Sequence, residues 1–103
     1  MNDNAQPVSI VGLVWFREDE FDAIRNLMTD GDTLPTTYAD WLETARLGEQ
    51  HQRRAGYKLV RATIRPKEFK PWCKERGLEL NANARTAFAS WYAKEAAARG
   101  ELG

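Results

Sequence analysis

Two hydrophobic periods alternate along this chain. Ser9-Ile-Val-Gly-Leu-Val-Trp-Phe16 is β-branched and aromatic and predicts a strand. Ile10, Val14 and Phe16 share one face, and Val11, Leu13 and Trp15 the other. A strand apolar on both faces is usually covered on both, which predicts a central place rather than an edge. From Arg17 to Met28 the period changes to that of a helix, with Phe21, Ile24, Leu27 and Met28 in one stripe. The acids from Glu18 to Asp22 crowd its first turns, where negative charge favours the positive end of the helix dipole. Asp30-Gly31-Asp32 ends it, with Gly31 as a left-handed cap.

Thr37, with Asp40 three residues on, opens a second helix as a capping box with Asp in place of Glu. Its apolar face is Tyr38, Trp41, Leu42 and Ala45, and the polar remainder runs through Arg54 to a stop at Ala55-Gly56. Tyr57–Ile64 is the second strand, with Val60, Ala62 and Ile64 inward and Leu59, Arg61 and Thr63 on a half-exposed face. Pro66 starts a third helix with Phe69, Trp72 and Cys73 inward, and Pro71 inside it should shorten or kink it. Gly77 caps its end. Leu78–Asn81 alternates and could add a brief third strand. Asn81 or Asn83 caps a last helix to about Arg99, packed through Ala84, Ala87, Phe88 and Trp91.

The pattern therefore predicts an α+β fold in the order strand-helix-helix-strand-helix-helix, a small two- or three-stranded sheet packed by about four helices. Residues 8–99 form the domain, between a tail at 1–7 and another at 100–103. One tension follows. A strand apolar on both faces wants neighbours, yet only one other clear strand exists. Either Leu78–Asn81 contributes or a second protomer completes the sheet.

Asp32-Thr-Leu-Pro-Thr-Thr-Tyr-Ala-Asp-Trp-Leu42, Val60-Arg61 with Pro66, Phe69, Trp72-Cys73 and Arg76-Gly77-Leu78, and Ala84-Arg-Thr-Ala-Phe-Ala89 together resemble a group of small bacterial proteins with no assigned function. The resemblance covers roughly residues 30–90. It implies a complete small protein and no particular activity, and Pro71 departs from the group's pattern.

Composition changes little: 43% hydrophobic and 29% charged residues are ordinary for a globular domain. Cys73 is the one cysteine, so no intrachain disulfide or zinc cluster can form. The first residues lack a basic, apolar leader, and Ile10–Phe16 is too short to span a bilayer. A cytoplasmic location is expected. Charge changes more. Residues 1–45 carry two basic against nine acidic side chains, and residues 46–76 ten basic against three acidic, within a net charge of zero. Neutralisation between the two halves is the plain expectation.

Catalytic chemistry is sparse. His51 and Cys73 could pair as base and nucleophile, but His51 lies in a polar stretch and Cys73 on an apolar helix face. Glu18–Asp22 offers paired carboxylates in like environments, whereas acid–base work needs unlike ones. Asp30-Gly31-Asp32 lacks the rest of a calcium loop. No phosphate loop, nucleophile elbow or metal-binding His pair is present. No catalytic, cofactor or metal residue is assigned, and an enzyme is not the expectation. Two readings remain. The first is a small binding or regulatory accessory module, acting through a protein partner or self-association, with four tryptophans as potential anchors. The second is nucleic-acid binding by the basic 53–76 segment, where Tyr57, Phe69 and Trp72 interleave with cations. If the outer sheet face is open, Arg61 and an aromatic of the first strand form a small platform. For an anionic partner the residues are Arg61, Arg65, Lys67 and Lys70.

Overall fold

Residues 10–100 are described by a computed structural model. Strand β1 is Ile10–Trp15 and β2 is Lys58–Thr63; the helices are α1 (Phe21–Leu27), α2 (Tyr38–Arg54), α3 (Pro66–Glu75) and α4 (Ala82–Ala98). Short 3-10 turns at Glu18–Glu20 and Gly31–Thr33 flank α1. The fold is α+β, with four helices around a two-stranded parallel sheet. Ile10 lies beside Lys58 and Trp15 beside Thr63. Parallel pairing needs a long crossover, and α1 and α2 provide it.

The sheet lies between α2 and α4. Trp15 meets Trp41 of α2 edge-on at 5.1 Å between ring centroids, while α4 lies across the other face, over Gly12. The core has two aromatic lobes. Phe16, Phe21, Tyr38 and Trp41 pack at the α1–α2 end, and Phe69, Trp72 and Phe88 where α3 meets α4. Ala62 and Ile64, fully buried, lie in the same core cluster as both lobes.

Capping follows the sequence closely. Thr37 Oγ1 accepts the Asp40 N–H, Asn81 Oδ1 accepts that of Ala84, and Pro66 occupies the first turn of α3. Gly77, at φ 67°, closes α3 while the Leu78 N–H returns to the Cys73 carbonyl. Pro71 is accommodated within a helix of ten residues.

Four expectations need correction. Leu78–Asn81 is a linker, not a strand. The Leu80 carbonyl accepts both the N–H and the hydroxyl of Thr29, and Asn81 is committed to capping α4, so neither enters a ladder. β1 is not central: β2 is its one strand neighbour among the described residues, and only Trp15 within it is buried, the other five being half-buried. Gly31 is not a left-handed cap. It lies in a 3-10 turn, and glycine is needed there because a Cβ would sit 1.9 Å from the Arg25 carbonyl oxygen. Ala87 is exposed; the buried face of α4 is Ala84, Arg85, Phe88, Ala89, Ala93 and Ala96. Ser9, read as the start of the first strand, and both predicted tails apart from Gly100 lie outside the described residues.

Gly12 sets the distance between helix and sheet. A Cβ there would lie 2.0 Å from the Ala89 carbonyl oxygen and 3.3 Å from the Ala93 methyl. Backbone packs directly on backbone, which glycine alone permits. Gly12→Ala should therefore cost about 3 kcal/mol, because α4 must lift off the sheet. At Gly48, mid-helix with open space around it, the same change should stabilise by up to about 1 kcal/mol through helix propensity. Urea unfolding of the two variants should move the midpoint in opposite directions.

Candidate interaction surface

The basic residues of the middle segment are drawn into ion pairs. Arg61 projects from the exposed face of β2 and donates Nε and Nη2 to the two carboxylate oxygens of Glu49 on α2, at 2.8 and 2.9 Å. Its guanidinium also stacks on Trp15, 3.9 Å from the ring centroid. The expected pairing of Arg61 with a first-strand aromatic thus forms, but as a closed arrangement. Trp15 is buried against Trp41, and Glu49 neutralises the cation. Arg65 makes the same two-pronged contact with Glu20, 45 residues earlier, at 3.0 and 2.8 Å. Both carboxyls are held below their usual range by these charge-assisted hydrogen bonds, and both guanidiniums are raised in turn. Lys67 and Lys70 lie exposed on α3, with no ion pair to either among the described residues. Two of the four residues expected to meet an anionic partner, Arg61 and Arg65, thus already face carboxylates. Of the interleaved aromatics, Phe69 and Trp72 are buried.

A third pair ties the ends of the fold together. Arg85, buried on α4, donates to Asp30 at 2.8 Å, and Asp30 also accepts the Ala82 N–H at 2.9 Å. Asp30 thereby caps α4 from a loop 52 residues away. The hydrogen bond from Arg85, then that from Ala82, lower the Asp30 carboxyl against the opposing effect of burial.

Catalytic groupings do not emerge. Cys73 is buried, and desolvation pushes its thiol up, partly offset by Arg76. His51 is exposed near the end of α2. No cluster of three or more metal-ligating side chains occurs among the described residues. No helix there is long and apolar enough to cross a membrane.

Besides a hollow of about 240 Å³ between β1 and α2, two surfaces lie open among the described residues. Between α3 and α4 a crevice of about 300 Å³ is lined by Trp72, Phe88, Trp91 and Tyr92, with Glu68 and Glu95 at its rim. Trp91 is 37% exposed there, but Arg76 already stacks on Trp72 at 4.2 Å and lies 5.6 Å from Trp91. The larger surface is a groove of about 510 Å³ along the edge of β1 away from β2. Ile10, Val11, Gly12 and Val14 form its floor, and Thr86, Ala89, Ser90, Ala93, Lys94 and Ala97 of α4 its wall.

One hydrogen bond fixes the orientation of the backbone at that edge. The Ile64 N–H donates to the Trp15 carbonyl at 2.8 Å. Hydrogen-bonding groups alternate along a parallel strand, so Val11, Leu13 and Trp15 direct their N–H and C=O towards β2. Ile10, Gly12 and Val14 direct theirs into the groove. β1 carries no charge, whereas β2 carries Lys58 and Arg61. Charged side chains are a usual guard against edge pairing; β2 has them and β1 does not.

Part of this was available from the residues. A glycine inside a strand marks a close backbone approach, and Gly12 was such a signal. An apolar strand with too few partners was another. The Asp30–Arg85 clamp left no local signal, because its members are far apart in sequence.

Asp30→Asn should lower stability by about 2 kcal/mol at pH 7 by leaving Arg85 without its charged partner. The wild-type carboxyl is depressed in the folded state, so its contribution is complete above its ordinary value of 3.8 and is lost as pH falls through the folded value. Urea unfolding between pH 7 and pH 3 should show a shallower acid loss for the variant. Cys73 should react with a thiol reagent only as the protein unfolds, and Cys73→Ala should cost about 1 kcal/mol while leaving binding activity intact. A fast-reacting native thiol would contradict its burial.

Compared with protein-family models, curated proteins and solved structures, the chain finds no match.

Proposed function

We propose that this chain is a small protein-interaction module, an accessory or regulatory component, that binds through the open edge of β1. One observation carries the reading. An uncharged apolar strand directs the backbone groups of Ile10, Gly12 and Val14 into a groove walled by short α4 side chains. Strand addition uses such a surface: main-chain hydrogen bonds supply affinity, and pockets for alternate side chains supply selectivity. The ion pairs at Arg61 and Arg65 favour this over nucleic-acid binding, since two of the four cations available to a phosphate are already opposed by carboxylates.

Affinity capture from lysate, divided into nuclease-treated and untreated halves, tests the proposal when run beside Val11→Lys. Val11 lines the groove and is half-buried, so a lysine there puts a charge at the edge without filling the core. A defined protein that survives nuclease and is lost with Val11→Lys is the expected result. Material removed by nuclease, shed steeply with salt and indifferent to Val11→Lys, would replace this reading with binding by the basic segment.

A further inference from the structure

We propose that the occupant of the β1 edge is a second copy of this chain, joined antiparallel across a two-fold axis at Gly12 to make one four-stranded sheet. The inference rests on the reading of that edge as the interaction surface and names what fills it.

Self-complementarity is the first argument. An isologous contact brings one patch against itself, so a charge with no opposite charge elsewhere in the patch would meet a like charge or an apolar residue. Ile10–Trp15 contains none. With the axis at Gly12, Ile10 lies opposite Val14 of the second copy, Gly12 opposite Gly12, and Val11 opposite Leu13. Each facing pair within Ile10–Val14 is apolar or glycine, and no like charges oppose each other there. The outward residues Ile10, Gly12 and Val14 fall into hydrogen-bonded pairs in this register, each exchanging both N–H···O bonds with its opposite number. Their backbone groups are satisfied without any side chain changing face.

The wall of the groove supplies the second. An axis perpendicular to the sheet keeps both copies of α4 on the same face, one on either side of the seam, each packed over its own pair of strands. Helices set so close need short side chains between them. The part of α4 overlooking the edge presents Thr86, Ser90, Ala93 and Ala97. Ala89 stands over Gly12, so Ser90 comes near the axis. Lys94 of one copy then lies towards the Thr86 end of the other and does not face its own equivalent.

Scale agrees. A stable interface needs about 600 Å² from each partner. The five residues Ile10–Val14 that face one another give a seam roughly 17 Å long, and a helix of 17 residues runs beside it. The opposite edge does not offer the same option, because β2 brings Lys58 and Arg61 to it.

Sedimentation of the full chain from about 1 to 100 µM should show a dimer that dissociates on dilution. Val11→Lys and Ser90→Arg should each weaken it at least tenfold. Ser90 is exposed, so its replacement should leave the monomer's melting transition unchanged and separates lost assembly from lost folding. Val11→Cys combined with Leu13→Cys should yield a covalent dimer on mild oxidation, since these positions face one another at a Cβ separation of about 5 Å. A wild-type chain that stays monomeric across the range would overturn the proposal, as would a dimer that ignores both substitutions and fails to crosslink. If the chain is monomeric but capture still depends on Val11, the dimer fails while strand addition by another protein stands. If the chain is dimeric through this edge and captures nothing else, self-association is the whole of its binding.

Discussion

The contact between Gly12 and the backbone of α4 is the constraint on which the rest of the molecule depends. Among the described residues β1 has a single strand neighbour, and a two-stranded sheet has little stability of its own. It is held because a helix lies directly on one face, close enough that even a methyl group would not fit. The other face is covered by α2 through the Trp15–Trp41 contact. α4 is in turn positioned by Asp30, which caps it and pairs with Arg85, and by Thr29, which bonds to the linker at Leu80. The loop after α1 thus fixes the helix, and the helix fixes the sheet.

The ion pairs show how a chain with a steep internal charge asymmetry becomes locally neutral. Arg65 reaches from the basic middle to Glu20 in the acidic first part, and Arg85 reaches to Asp30. Arg61, however, pairs with Glu49 inside the basic segment itself, and stacks on Trp15 while doing so. Exposed pairs of this type contribute about 0–1 kcal/mol each. Their larger effect is on what the surface can recognise, because a guanidinium fixed on a carboxylate attracts a passing phosphate far less than a free one.

Much of the fold was legible from local signals. Thr37, Asn81, Pro66, Gly56 and Gly77 each act at the turn or cap where their chemistry placed them, because caps and left-handed positions are decided within a few residues. Phe21, Ile24 and Met28 are buried as their spacing required. What could not be read was decided over distance. Gly31 looks like a helix stop, but its glycine answers to the Arg25 carbonyl. The alternation at Leu78–Asn81 looks like a strand, but Thr29 takes the Leu80 carbonyl first. The buried side of α4 was hidden because alanines occur all round the helix. For the candidate site, the apolar character of β1 was plain. Its place at an open edge depended on there being no third strand to cover it among the described residues.

The parallel pairing of β1 with β2 also orders events in time. Ile10 must wait for Lys58 before it has a strand beside it, and Gly12 must wait for Ala89 before it is roofed. During synthesis at the ribosome β1, the more apolar of the two described strands, therefore emerges before both of the elements that enclose it. Non-local pairings of this kind form slowly and leave strand edges open meanwhile. Between its own synthesis and that of α4 this apolar segment has nothing to enclose it, so a molecular chaperone acting in that interval has β1 to bind.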